Sequence, residues 1–83
     1  MFISTLQCHK AVNDLYREYK KTGKTEGLWI TINGSTEIIE KTLNWLQDNF
    51  IAKRTSRGGH SSFMFSIYED NLNKYYKELS QFF

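Results

Sequence analysis

Phe50-Ile-Ala-Lys-Arg-Thr-Ser-Arg-Gly-Gly-His-Ser-Ser-Phe-Met-Phe-Ser-Ile-Tyr68 is the stretch that decides the fold. It divides into two strand-like runs, Phe50–Thr55 and Ser61–Tyr68. Between them Ser56-Arg-Gly-Gly-His60 carries two adjacent glycines, which let the chain reverse. Side chains alternate across a strand, so Phe63, Phe65 and Ile67 share one face and Met64, Ser66 and Tyr68 the other. Burying a large apolar side chain is worth roughly 1.5–3 kcal/mol. The Phe63/Phe65/Ile67 face is therefore expected to turn inward, and the rest of the chain must cover it.

Three helices are expected to supply that cover. Over Ser4–Lys21, Cys8, Val12, Leu15 and Tyr19 recur at helical spacing, and Ala11 and Tyr16 widen the stripe. Ser4 or Thr5 offers a capping hydroxyl, Lys20 and Lys21 suit the negative end of the helix dipole, and Gly23 suits the stop. Over Ser35–Asp48, Ser35 or Thr36 is the cap, and Ile39, Leu43 and Leu46 form the stripe, with Phe50 just beyond. Asn49 is the expected left-handed residue that ends this helix. Glu69–Phe83 opens with two acids and places Leu72, Tyr75 or Tyr76, Leu79 and Phe83 on one side.

Between the first two helices, Leu28-Trp-Ile-Thr-Ile-Asn33 alternates as a strand does. Leu28, Ile30 and Ile32 point one way, Trp29 and Thr31 the other, and Asn33-Gly34 suits a tight turn. The order is α-β-α-β-β-α. The hairpin makes strands two and three antiparallel, and a right-handed crossover is the preferred route from strand one to strand two. The simplest sheet then has strand three in the middle, order 1-3-2, with the helices packed on one face. The expectation is a single small α+β domain.

Composition narrows the function. With 83 residues there is room for one domain, and 40% apolar content gives it a core rather than leaving it disordered. Cys8 is the sole cysteine, which rules out an intramolecular disulfide and suits a reducing, cytoplasmic setting. No apolar run is long enough to span a membrane, and the first residues do not read as a signal peptide. Cys8 and His9 are sequence neighbours about 100° apart on a helix, a poor pair of metal ligands. There is no phosphate loop, dinucleotide fingerprint or nucleophile elbow. The expectation is a non-catalytic binding module without cofactor or metal.

The net charge of +2 is too small for a purely electrostatic nucleic-acid binder, so any such binding must rest on a local patch. Lys53, Arg54 and Arg57 lie within five residues with no acid between them, and His60 follows. Glycines permit close approach of the backbone to a phosphate, and cations and hydroxyls contact it. A second basic group, Arg17, Lys20, Lys21 and Lys24, ends the first helix, where dipole complementarity and solubility are a sufficient reason for it.

Leu43-x-x-Leu46, then Asn49-Phe50-Ile51, then a basic glycine-tipped hairpin, resembles the recognition helix and wing of a winged-helix DNA-binding domain. The resemblance covers about Ser35–Tyr68. It implies that Thr36, Glu37, Glu40, Lys41 and Asn44 face the major groove while the wing, Lys53–His60, touches the backbone. The helix itself is acidic, with Glu37, Glu40 and Asp48 against Lys41 alone. Nucleic acid, DNA ahead of RNA, is the expected partner. The alternative is an acidic protein surface met by a protein-binding adaptor, with Trp45, Tyr75, Tyr76, Phe82 and Phe83 as anchors or as a homodimer patch; completion of the small core is an equal use for these aromatics.

Overall fold

The hairpin buries the face that alternation selects. Phe63 and Phe65 are fully buried and Ile67 nearly so, whereas Met64 and Ser66 are half-buried and Tyr68 is exposed. The computed structural model describes residues 6–59 and 61–79. Its elements are α1 (Leu6–Thr22), β1 (Leu28–Thr31), α2 (Thr36–Asp48), β2 (Ala52–Gly58), β3 (Ser62–Ile67) and α3 (Glu69–Leu79). The three strands form one sheet in the order β1-β3-β2, antiparallel at both junctions. This is the expected α+β architecture.

Register follows from which side chains must share the core. Leu28 pairs with Phe65 and Ile30 with Phe63, so the apolar faces of β1 and β3 coincide. Ala52 pairs with Ile67 and carries the same face into β2. Ala11, Val12 and Leu15 of α1, Ile39 and Leu46 of α2, and Leu72 of α3 close over it. Trp29, Thr31, Lys53, Ser56, Ser62, Met64 and Ser66 occupy the opposite face, and none of them is buried. All three helices therefore lie to one side, and the other side of the sheet is uncovered.

Several local expectations are corrected. The strand after α1 ends at Thr31 rather than Asn33, although Ile32 stays buried and its N–H donates to the Ser61 carbonyl at 2.9 Å. The second strand runs through Ser56 and Arg57 to Gly58, because a bulge between Arg54 and Ser56 absorbs one residue and lets pairing continue. Those residues are strand, not turn. In α2 the buried stripe includes Thr42, while Leu43 is only half-buried. The Thr42 hydroxyl donates back to the Ile38 carbonyl at 2.8 Å, which satisfies it in the core. Ser35 is the cap of α2, accepting from the Ile38 N–H. The proposed caps Ser4 and Thr5, and the proposed core residue Phe83, lie outside the described residues.

The end of α2 also differs. Asn49 has φ −93°, and Phe50 is the left-handed residue, at φ 53°. Ile51 N–H donates to the Leu46 carbonyl (2.9 Å) and Phe50 N–H to the Gln47 carbonyl (3.1 Å), the paired bonds of a Schellman cap. Asn49 is occupied otherwise. Its amide donates to the Trp45 carbonyl (2.8 Å) and its side-chain oxygen accepts from the Tyr75 hydroxyl (3.0 Å). Asn71 of α3 donates to the Phe50 carbonyl at 3.0 Å. The corner that launches β2 is thus tied to α3, and Phe50 stands out of the core, 60% exposed.

Candidate nucleic-acid interface

β2 carries the basic residues, and its register decides where each one points. Ala52 faces the core, so Lys53, opposite Ser66, projects from the uncovered face. Arg54, opposite Phe65, lies on the helix side at the sheet edge. There it shares a shallow groove of about 250 Å³ with Glu40, Leu43, Asn44 and Gln47 of α2. Arg57 pairs with Phe63, and its guanidinium sits 5.2 Å from the Phe63 ring centroid while its Nε donates to the Gly59 carbonyl at 3.2 Å. The three cations are exposed but splay to both sides of the ribbon instead of converging on one spot.

The hairpin sequence that carries them has charge of one sign only, although Glu40 of α2 lies in the groove beside Arg54. No Asp or Glu occurs between Asp48 and Glu69. Among the described residues, neither Lys53 nor Arg54 has an acidic partner. Thr55 Oγ1 donates to the Met64 carbonyl at 3.3 Å across the bulge, and Ser56 lies exposed beside it. His60, expected to complete the tip, lies outside the described residues.

The residues expected on α2 sit in a different electrostatic setting. Thr36 is exposed in the first turn and Asn44 lies in the groove beside Arg54. Lys41 Nζ is 2.9 Å from the Glu37 carboxylate, and this bond holds the Glu37 carboxyl below its ordinary range. The single cation of the helix is thus matched within it, and Glu40 adds a further negative charge. The structure brings Asn44 to Arg54.

The chain matches no protein-family model, no curated protein and no solved structure.

Two features escape a linear reading. Trp29 is 47% exposed on the uncovered face, and its six-membered ring sits over Gly58 of the hairpin. The sequence signal for this was the outward position of Trp29 in its strand, but the contact with Gly58 depends on a register that only folding sets. The second is the placement of the aromatics that suit either an anchor or the core. Trp45 packs edge-on against Tyr75, and Tyr76 stacks on Tyr16 with centroids 3.7 Å apart, all partly buried against the core. Among the described residues the exposed aromatics are instead Trp29, Phe50 and Tyr68, of which the last two meet edge-on at 5.9 Å. Phe82 and Phe83 lie outside the described residues. No group of three or more metal-ligating side chains occurs among the described residues, and no described helix is long and apolar enough to cross a membrane.

Proposed function

We propose that this domain is a small non-catalytic nucleic-acid-binding module whose β2–β3 hairpin contacts phosphates, in the manner of the wing of a winged-helix domain. One observation carries the reading. The cations Lys53, Arg54 and Arg57 are exposed on a ribbon free of acids from Asp48 to Glu69, whereas the only cation of α2 is matched by Glu37. Phosphates are attracted to the first surface and gain nothing from the second. The hairpin, rather than the helix, dominates binding, and Thr36, Lys41 and Asn44 contribute little to affinity.

Salt dependence tests this. Three phosphate contacts give log K a slope against log salt of about −2.1 for single strands to −2.7 for duplex, a loss of about 20- to 40-fold between 50 and 200 mM salt. Replacing Lys53, Arg54 and Arg57 together by Ala should flatten that slope, and Lys41→Ala should leave it unchanged. Undetectable binding to any oligonucleotide at low salt would end the proposal. The exposed Phe50–Tyr68 pair favours a second reading, a protein-binding adaptor. A stoichiometric protein partner that survives nuclease treatment would support that reading instead.

A further inference from the structure

Gly58 has a reason for being glycine that its backbone does not supply. The left-handed glycines are Gly23, Gly27, Gly34 and Gly59, and Gly58 is not among them. A Cβ built at Gly58 would lie 2.8 Å from Cζ3 and 3.1 Å from Cη2 of Trp29, closer than real contacts allow. The missing side chain is therefore the seat of the indole. From β1 the ring reaches past β3, where its own pairing partner is Met64, to rest on the hairpin. A tryptophan held this way keeps 47% of its surface in water on a face that no helix covers.

The surroundings indicate what such a ring would meet. On the β1 side, Trp29 borders an open groove of about 440 Å³ that it shares with Arg17 and Lys21 of α1, along with Asp14 and Glu18. Across the sheet, Lys53 projects from the same face. Ser56, Ser62, Ser66 and Thr31 fill the remaining positions, and Glu26 borders the face beside Met64 and Ser66. A single seated π-surface, with Lys53 on the same face, hydroxyls beside it and on the β1 side a groove of mixed charge in which Arg17 is 3.9 Å from Asp14, suits a chain of alternating bases and phosphates. In a duplex each base is already stacked on its neighbours, so a ring lying on a sheet can be reached only by an unpaired base.

We infer that Trp29, seated on Gly58, stacks an unpaired base, and that the ligand of this face is single-stranded nucleic acid. The inference rests on the phosphate-binding role proposed for the hairpin and adds strand selectivity to it. The indole supplies stacking, Lys53 a phosphate contact on the same face, and Gly58 the clearance that positions the ring.

Fluorescence anisotropy with labelled oligothymidylate and oligouridylate of about fifteen nucleotides, and with a duplex of equal length, tests it. The wild-type protein should prefer the single strands. Trp29→Ala should weaken single-strand binding by about 5- to 150-fold, the range expected for loss of one stacked base, with the duplex affinity and the salt slope unchanged. Trp29→Phe should retain much of the preference, and Gly58→Ala should reduce it by displacing the ring. In a Trp45→Phe background Trp29 is the sole tryptophan, and its emission should be quenched by the single strands and not by the duplex. Equal binding of single strand and duplex, or unchanged single-strand affinity in Trp29→Ala, overturns the inference while leaving the hairpin proposal standing. Absence of all oligonucleotide binding at low salt overturns both. Trp29 lies off the core, so urea unfolding of the Trp29→Ala variant should confirm an intact fold.

Discussion

At residue 50 the usual ranking of alanine and glycine should invert. Phe50 sits at the position after the α2 cap with φ 53°, the one non-glycine residue with positive φ among those described. An L-residue there pays roughly 1–2 kcal/mol because Cβ crowds the following carbonyl. Glycine avoids that cost but loses roughly 0.4–1 kcal/mol more conformational freedom on folding. Phe50→Ala and Phe50→Gly both delete the ring and its edge-on contact with Tyr68, so comparing them cancels the packing loss and isolates the backbone. The difference should be about 1 kcal/mol in favour of glycine. In a regular helix or strand glycine is the worse residue by roughly 0.5–1 kcal/mol, so the sign itself is diagnostic. Urea denaturation of the two variants should give equal m-values and a higher midpoint for Phe50→Gly, and thermal unfolding a midpoint higher by about 4–8 °C per kcal/mol. A Phe50→Ala variant as stable as Phe50→Gly, or more so, would refute the left-handed cap.

Two further outcomes test the fold. Phe63→Ala should cost about 3–5 kcal/mol, because the ring is fully buried against both helices and sheet, whereas Met64→Ala on the uncovered face should cost less than about 1 kcal/mol; equal losses in urea denaturation would contradict the assigned faces. The Tyr19 hydroxyl donates to Glu69, and that bond, then burial, then the Glu69 charge raise the phenol above its ordinary value of 10.0. A folded pKa above the unfolded one stabilises the fold below pH 10.0 and ceases to do so as pH climbs through the raised value. Stability measured into the alkaline range should fall by a component that Tyr19→Phe removes, and identical profiles for the two proteins would contradict the Tyr19–Glu69 bond.

Features set by local periodicity were readable in the sequence, and features set by tertiary contact were not. Phe63, Phe65 and Ile67, and likewise Leu28 and Ile30, announce their inward face because a strand has only two sides. With one face assigned in each strand, order 1-3-2 is the simplest sheet, and it is the one formed. The end of α2 was misassigned because Asn49 is the better left-handed residue in isolation. In the folded chain its side chain is drawn to the Trp45 carbonyl and the Tyr75 hydroxyl, and the left-handed position falls to Phe50. The bulge in β2 has no glycine or proline to mark it. Half of the candidate site, the cations of β2, was legible as composition. Their division between two sides of the ribbon, and the seat of Trp29 on Gly58, required the register.

The strongest competing explanation for Lys53, Arg54 and Arg57 is that they protect an edge strand from pairing with other chains. In order 1-3-2 both β1 and β2 are edges. β1 itself, Leu28–Thr31, has no charged residue. Its edge borders a groove flanked by the α1 side chains Asp14, Arg17, Glu18 and Lys21. β2 already carries a second protective device, the bulge between Arg54 and Ser56. Negative charge would guard an edge as well as positive, but β2 uses only positive charge and extends it with acid-free sequence on both sides. The two explanations part on the triple alanine variant. Edge protection alone predicts increased self-association with no change in oligonucleotide binding, whereas phosphate contact predicts a flattened salt slope in a protein whose association state is unchanged. Sedimentation and anisotropy on the same sample separate them.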